Sequence, residues 1–401
     1  MIRQHRWSFF IMFAAILQAS AVAAFPSSPI FAREEVHEAL AGVHDIVAGD
    51  FNGDGKIDLA TSNSITEANN GLGLSVFAQE TDGGFGNRQD YTTNRRPFGM
   101  AVADLNNDTI DDLAVAVYYA KQVALRFGTL GAGLTPAINY PVGGEPFSVA
   151  VGNFLGDGRD DIAANHYQVS LLENVGATFS PAQTITTGTS GYGNLASADI
   201  NKDGRDDLLL TTGGEHVQFL AGQLGGGFGP SQFFYSGPGS DELAAGDLNG
   251  DGWLDLVVGN WSLNMVRTLI GQPGGGFSAG EQYTLSSYTR AVELADFNHD
   301  GHLDVAVTAT DNSEGFLSIL LNSGDGNLSI AESIRILGEG EGLIAGDFDG
   351  NGGIDLAVTA STTQTYNSSI SIFYSSIPEP VSIIPAVAAA SILLLKRRRS
   401  S

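Results

Sequence analysis

Along the middle of the chain, apolar residues come in short runs with a period of two. "SVAVGNF" (148–154), "LAVAVYY" (113–119), "QVALRFG" (122–128) and "SQFFYSG" (231–237) are typical. These runs are rich in small and β-branched residues and are bounded by Gly, Asn and Asp, so each predicts a short β-strand. Gly-rich turns such as "GGGFGP" (225–230) and "GGGFSAG" (274–280) separate many of them. No stretch of the core keeps a helical period.

The runs are organised by a repeat. An acidic loop with the pattern Asp-x-Asn-x-Asp-Gly-x-x-Asp recurs seven times, starting at Asp50, Asp104, Asn153, Asp199, Asp247, Asp296 and Asp347, at intervals of 46 to 54 residues. One strand leads into each loop, one leaves it, and two more precede the next copy. Four short antiparallel strands in about 50 residues make one blade of a β-propeller. Seven copies predict an all-β, seven-bladed propeller of four-stranded blades over residues 25–376, with an open solenoid or sandwich array as the alternative. The seventh blade runs out of chain before its fourth strand. Residues near Ile30 to Val36 are predicted to supply it by pairing with residues near Ile370 to Ser375, which removes two exposed sheet edges.

Composition sharpens this reading. Net charge is −26, with 45 acidic against 19 basic residues, so nucleic acid is excluded as a partner. The 52 glycines fit a chain of tight turns, and the absence of cysteine excludes disulfides, thiolate metal sites and cysteine nucleophiles. The histidines, His5, His37, His44, His166, His216, His299 and His302, show no zinc or triad spacing. The expectation is a protein that is not an enzyme.

The acids of the loops need an explanation, since bare carboxylates at this density repel one another. Positions 1, 3, 5 and 9 offer side-chain oxygens and position 7 a backbone carbonyl, a set of hard donors suited to Ca²⁺. The alternative is a solvated acidic turn. The predicted ligands are Asp50, Asn52, Asp54, Lys56 and Asp58 in the first loop, and Asp104, Asn106, Asp108, Ile110 and Asp112 in the second. The fourth offers Asp199, Asn201, Asp203, Arg205 and Asp207, and the fifth Asp247, Asn249, Asp251, Trp253 and Asp255. The sixth offers Asp296, Asn298, Asp300, His302 and Asp304, and the seventh Asp347, Asp349, Asn351, Gly353 and Asp355. Lys56, Ile110, Arg205, Trp253, His302 and Gly353 would act through their carbonyls. The third loop, with Asn153 and Leu155 at positions 1 and 3, is degenerate and expected to bind little or nothing, leaving about six sites. The second has Thr109 in place of the turn glycine, so strain is expected there.

An EF-hand would carry a bidentate Glu at position 12. Here that position holds Thr61, Val115, Leu210, Val258, Val307 or Val358, which belong to the next strand. With strands on both sides, the loops resemble the FG-GAP/VCBS repeats of the integrin-α type. The resemblance covers nearly the whole of residues 25–376. It implies a seven-bladed propeller with Ca²⁺ held between the first and second strands of a blade.

Both ends read as sorting segments. Residues 1–24, "MIRQHRWSFFIMFAAILQASAVAA", carry two arginines, an apolar run and small residues, as a cleavable signal peptide does; a membrane anchor is the alternative. Residues 377–401 hold Pro378-Glu379-Pro380, a short apolar stretch and the cluster Lys396 to Arg399. This tail resembles the PEP-CTERM sorting signal of Gram-negative bacteria. The resemblance implies an exosortase-type processing enzyme, transient contact with the inner membrane, and a link to exopolysaccharide. A retained single-pass anchor is the alternative, with the propeller facing the periplasm.

The functional expectation is an exported, calcium-binding propeller at the cell surface or in the extracellular matrix, with a polysaccharide or surface protein as ligand. A polysaccharide lyase on a calcium propeller, or a purely structural matrix component, are the other readings. Strand alternation puts the acidic loops on one face of the ring. The opposite face should carry Arg96, Tyr119, His166, Tyr167, Tyr192, His216, Trp261, Tyr288 and Arg290, where aromatic and Arg side chains suit a ligand surface.

Overall fold

The computed structural model describes residues 30–376, apart from 65–70, 82, 87, 94, 95, 188–192, 312, 313 and 363–367. The two sorting segments and Tyr192 lie outside the described residues, and among those described no helix is long and apolar enough to cross a membrane. The chain forms seven four-stranded antiparallel sheets arranged as a ring. The first blade consists of Val43–Gly49, Asp58–Asn63, Leu72–Phe77 and Gln89–Thr92, from the axis outwards. The second consists of Pro97–Ala103, Asp112–Val117, Gln122–Arg126 and Ile138–Pro141, with a small added hairpin of Gly128–Thr129 and Gly133–Leu134. The third to sixth blades span 148–185, 195–235, 240–284 and 288–336. A single 3₁₀ turn, Tyr118–Ala120, is the one helical element among the described residues.

The seventh blade closes the ring as the sequence requires. Glu339–Gly346, Asp355–Ser361 and Ser368–Ser375 come from the end of the chain, and Phe31–Ala39 adds the outermost strand. Its register runs from Phe31 opposite Ser375 to Val36 opposite Ser371 and Ala39 opposite Ser368. Tyr374, almost fully buried, donates its hydroxyl to Glu35 Oε2 at 3.0 Å, and the Arg33 guanidinium lies 3.7 Å from the centre of its ring. Backbone pairing and side-chain packing thus both hold the closing strand.

Packing explains why the strand pattern is only partly alternating. Each blade has neighbours on both faces, so the second strands are buried along their length, except for the last residue in the sixth and seventh blades. The core is divided into seven apolar clusters, one at each junction between neighbouring blades. Position 2 of every acidic loop feeds one of them. Phe51, Leu105, Phe154, Ile200, Leu248, Phe297 and Phe348 are all at most 2% exposed. Each packs into the junction with the following blade. Truncating Phe297 to Ala should cost about 3–5 kcal/mol, read from urea unfolding; a loss below ~1 kcal/mol would show that these plugs do not carry the junctions.

Candidate functional site

Each acidic loop is organised by its own side chains before any ligand is considered. In the first loop Asp50 accepts the N–H groups of Asp54 and Gly55 at 3.0 and 2.8 Å. Asn52 Oδ1 accepts Asp54 N–H at 2.9 Å, and Asp54 Oδ1 accepts Lys56 N–H at 3.0 Å. The same net recurs at Asp199, Asp247 and Asp296. The glycine after position 5 has φ between 85° and 90° in every loop that carries one. Thr109 is forced to φ 75° in the second loop, the strain expected of a β-branched residue there.

Position 9 does something the spacing alone does not reveal. Asp58, Asp112, Asp207, Asp255, Asp304 and Asp355 are essentially inaccessible, and each clamps two segments of its blade. One oxygen accepts the N–H of position 2, as Asp112 does from Leu105 at 2.9 Å; the other accepts an N–H at or just beyond the end of the third strand, as from Gly128 at 2.9 Å. Burial pushes these carboxyls up, to about 6 for Asp58 and Asp255 and about 7 for Asp112, Asp207, Asp304 and Asp355. In the third loop the clamp is damaged. Phe154 N–H bonds to Gly152 O instead, and Asp161 Oδ2 is buried with no hydrogen-bond partner.

The seventh loop differs most. Carboxylate oxygens of Asp347, Asp349 and Asp355 lie within 4.8 Å of one another, the one such trio among the described residues. Its acids stand at positions 1, 3 and 9, because Asp349 and Asn351 exchange the usual Asn and Asp. In the other complete loops position 3 is Asn, which places an amide there instead; Asn52 Nδ2, for example, lies 3.2 Å from Asp58 Oδ2. Asp347 Oδ1 is buried and has no hydrogen-bond partner, and burial together with Asp349 raises the pKa of Asp347. A buried, unpartnered carboxylate oxygen among two further carboxylates fits a divalent cation.

Two acids that look like incidental loop residues in the sequence tie blades together. Asp111 Oδ2 accepts the N–H of Asp50 in the preceding blade at 2.8 Å, and its own N–H donates to Asp50 O at 3.0 Å. Asp206 and Asn153 repeat this pair at 2.8 and 3.2 Å. Elsewhere an amide bridges the junction instead: Asn174 donates to Leu105 O at 2.8 Å and Asn322 to Leu248 O at 2.7 Å. Asp111→Ala should cost about 1–3 kcal/mol in urea unfolding by leaving Asp50 N–H unpaired; a neutral result would assign the junction to packing alone.

Among the described residues, the opposite face carries those expected of it, with one exception. Tyr119, Tyr167, Trp261 and Tyr288 are 49%, 51%, 47% and 47% exposed. Arg96 donates to Tyr119 Oη at 3.3 Å, and His216 packs on Phe233 and Tyr235. His166 is instead buried against Ser170 Oγ at 2.7 Å and does not serve the surface. At the mouth of the axial channel, His44, Phe98 and Phe147 from three blades meet at centroid separations of 4.6 to 5.4 Å. In three other blades, the Arg290 charge acts on Asp241 and Glu341 and counters the upward push of burial on both carboxyls. Below them the channel is lined mainly by Val, Ala, Leu and Ile, with about 210 Å³ of space.

A ring of blades with an acidic loop between the first two strands of each defines a repeat propeller. The chain belongs to the family of the FG-GAP-like repeat, whose model matches residues 50–115, 153–210, 247–307 and 296–358. Each match starts on position 1 of a loop, and together they take in all seven loops. No curated protein matches the sequence. Among solved structures, a crystal structure of BBS1N in complex with ARL6DN is similar at a TM-score of 0.57 and 11% identity, over 85% of this chain and 95% of that one. A functionally unknown protein from Desulfotomaculum acetoxidans DSM 771 gives 0.52 and 12%, over 72% and 86%. The rhamnogalacturonan lyase YesW gives 0.48 and 14%, over 89% and 75%. At these identities the likeness is one of fold.

Proposed function

We propose that this protein is an exported, noncatalytic propeller, stabilised by calcium in about six of its loops, that binds a polysaccharide or a surface protein on the face opposite those loops. The observation that carries the calcium reading is the trio Asp347, Asp349 and Asp355 with its unpartnered buried oxygen. The nets in the complete loops support it, since they hold oxygen donors in place before a cation arrives. The third loop, with Leu155 and an incomplete clamp, stays metal-free in this reading. A signal peptide would direct the chain out of the cytoplasm. An exosortase-type enzyme acting on the tail at the inner membrane would release the propeller to the cell surface or matrix.

Calorimetric titration of residues 25–376 tests the metal. Uptake of four to six Ca²⁺ is expected; none, or seven of equal affinity, contradicts the assignment. For the ligand, a glycan array probed in millimolar calcium should give hits that weaken at least tenfold in Trp261→Ala and Tyr288→Ala, as expected for removing stacking aromatics. Hits unchanged by both substitutions would move the ligand surface elsewhere.

The buried position-9 carboxyls set a pH dependence. Their folded pKa values, about 6 to 7, lie above the ~3.9 of an unfolded Asp. The folded state therefore binds more protons between those values, and the stability this contributes is full below ~4 and lost as pH rises through 6 to 7. Metal-free protein should melt higher at pH 5 than at pH 8. Saturating calcium, which favours the ionised acids, should remove or reverse that order. A metal-free melting temperature that climbs from pH 5 to 8 would contradict the upward push of burial on these carboxyls.

A further inference from the structure

The register of the blades exposes one position that breaks the repeat. The residue of the third strand that pairs with position 10 of the loop is Phe77, Leu172, Leu220, Leu269, Leu320 or Phe373 in six blades, all buried. In the second blade it is Arg126, paired with Leu113 and only 4% exposed. No carboxylate among the described residues pairs with it. Its Nη atoms donate to Thr135 O at 2.7 Å and Thr92 O at 2.6 Å, while Nε is buried with no hydrogen-bond partner. Burying an uncompensated cation is costly, and six blades show that an apolar residue fills the place.

Arg126 lines a groove of about 500 Å³ between the outer strand of the first blade and the second blade. The volume falls in the range of small-molecule sites. Tyr91 lies under the guanidinium, 5.1 Å from it, and Thr93, Gln122 and Asn139 add hydroxyl and amide groups. Thr93 Oγ1 is also buried without a partner. Asp90 is the one acid in the groove, and it is already held by Arg88 Nε and Ser75 Oγ, each at 2.8 Å. The groove thus offers one oriented cation, free N–H donors on its planar fork, an aromatic ring and neutral polar groups.

We propose that this groove binds a uronic acid residue, with Arg126 taking the carboxylate and Thr93, Gln122 and Asn139 the ring hydroxyls. Two backbone carbonyls fix the guanidinium, leaving Nε–H and the remaining Nη hydrogens for a planar carboxylate. A bare inorganic anion would leave the polar wall unused, and a neutral sugar would leave the charge unpaired. The site lies on the side wall of the ring and depends neither on metal in the loops nor on the aromatic face.

The test is calorimetric titration of the full propeller with glucuronate, glucose, acetate and inorganic phosphate, alongside melting curves. Saturable binding of glucuronate is expected, with glucose, acetate and phosphate at least ~tenfold weaker. Arg126→Leu, which installs the residue of the other blades, should weaken glucuronate binding roughly 10- to 100-fold while melting at the same temperature or higher. Arg126→Lys should fold and lose most of the affinity, because it keeps the charge but not the fork. Glucuronate binding that survives Arg126→Leu overturns the proposal. So does glucose, acetate or phosphate binding as tightly as glucuronate, or no glucuronate binding by the wild type at 20 mM (roughly the weak end of a usable site). A large drop in melting temperature for Arg126→Leu would make the residue a clamp for Thr92 and Thr135 and likewise overturn it.

Discussion

Removing calcium with EGTA at pH 7.5 should lower the melting temperature of the propeller by roughly 5–15 °C relative to 2 mM calcium. Extracellular loops of this type have affinities of about 10⁻⁴ to 10⁻³ M, so each filled site adds roughly 0.7–1.8 kcal/mol by mass action, and five or six together match or exceed the largest single contact in the ring. The effect reaches the core because position 2 of each loop is a buried plug at a blade junction: Phe51, Phe297 and Phe348 sit between the donor residues on either side. Differential scanning calorimetry with and without chelator is the measurement. A shift under 2 °C would mean that the acids are solvated turns held by their own hydrogen bonds. Asp347→Ala should abolish the contribution of the seventh site alone, since Asp347 supplies the unpartnered oxygen.

The second large effect is expected from deleting residues 25–39. The seventh blade would lose its outer strand, and Ser368–Ser375 would become an exposed edge bearing Ile370, Ile372 and Phe373. Ile30 and Phe31, 5% and 4% exposed, would leave the junction between the sixth and seventh blades. Such an edge invites pairing between copies. The truncated protein should melt at least ~10 °C lower or elute as oligomers in size-exclusion chromatography. A monomer of unchanged stability would show that a three-stranded seventh blade closes the ring unaided.

The ring, its blade number and its closing strand could be read from the chain because the acidic loop is an internal ruler. Once seven copies are aligned, the missing strand near Ser376 and the surplus one near Phe31 identify each other. The strained turn at Thr109 was legible in the same way, from the missing glycine. What each acid does was not. Asp111 and Asp206 adjoin position 9 and look like any other loop Asp, yet they reach back to the preceding blade. The burial of position 9 was hidden for a similar reason: a ligand carboxylate and a buried clamp obey the same spacing. Arg126 escaped notice because the loop-to-strand distance varies between blades. Only the pairing of Leu113 with Arg126 and of Leu59 with Phe77 aligns them. His166 failed as a surface residue because its ring turns inward to Ser170.

Ring closure also has a mechanical consequence. Ile30 and Ser376 sit side by side, joined by a hydrogen bond of 2.8 Å, at the same end of an antiparallel strand pair. Tension pulling these two points apart would load the pair one rung at a time and peel it open at low force. Tension applied through either end alone would cross none of those rungs. Held from one side, the ring keeps its seam under shear flow; gripped from both, it unzips there first.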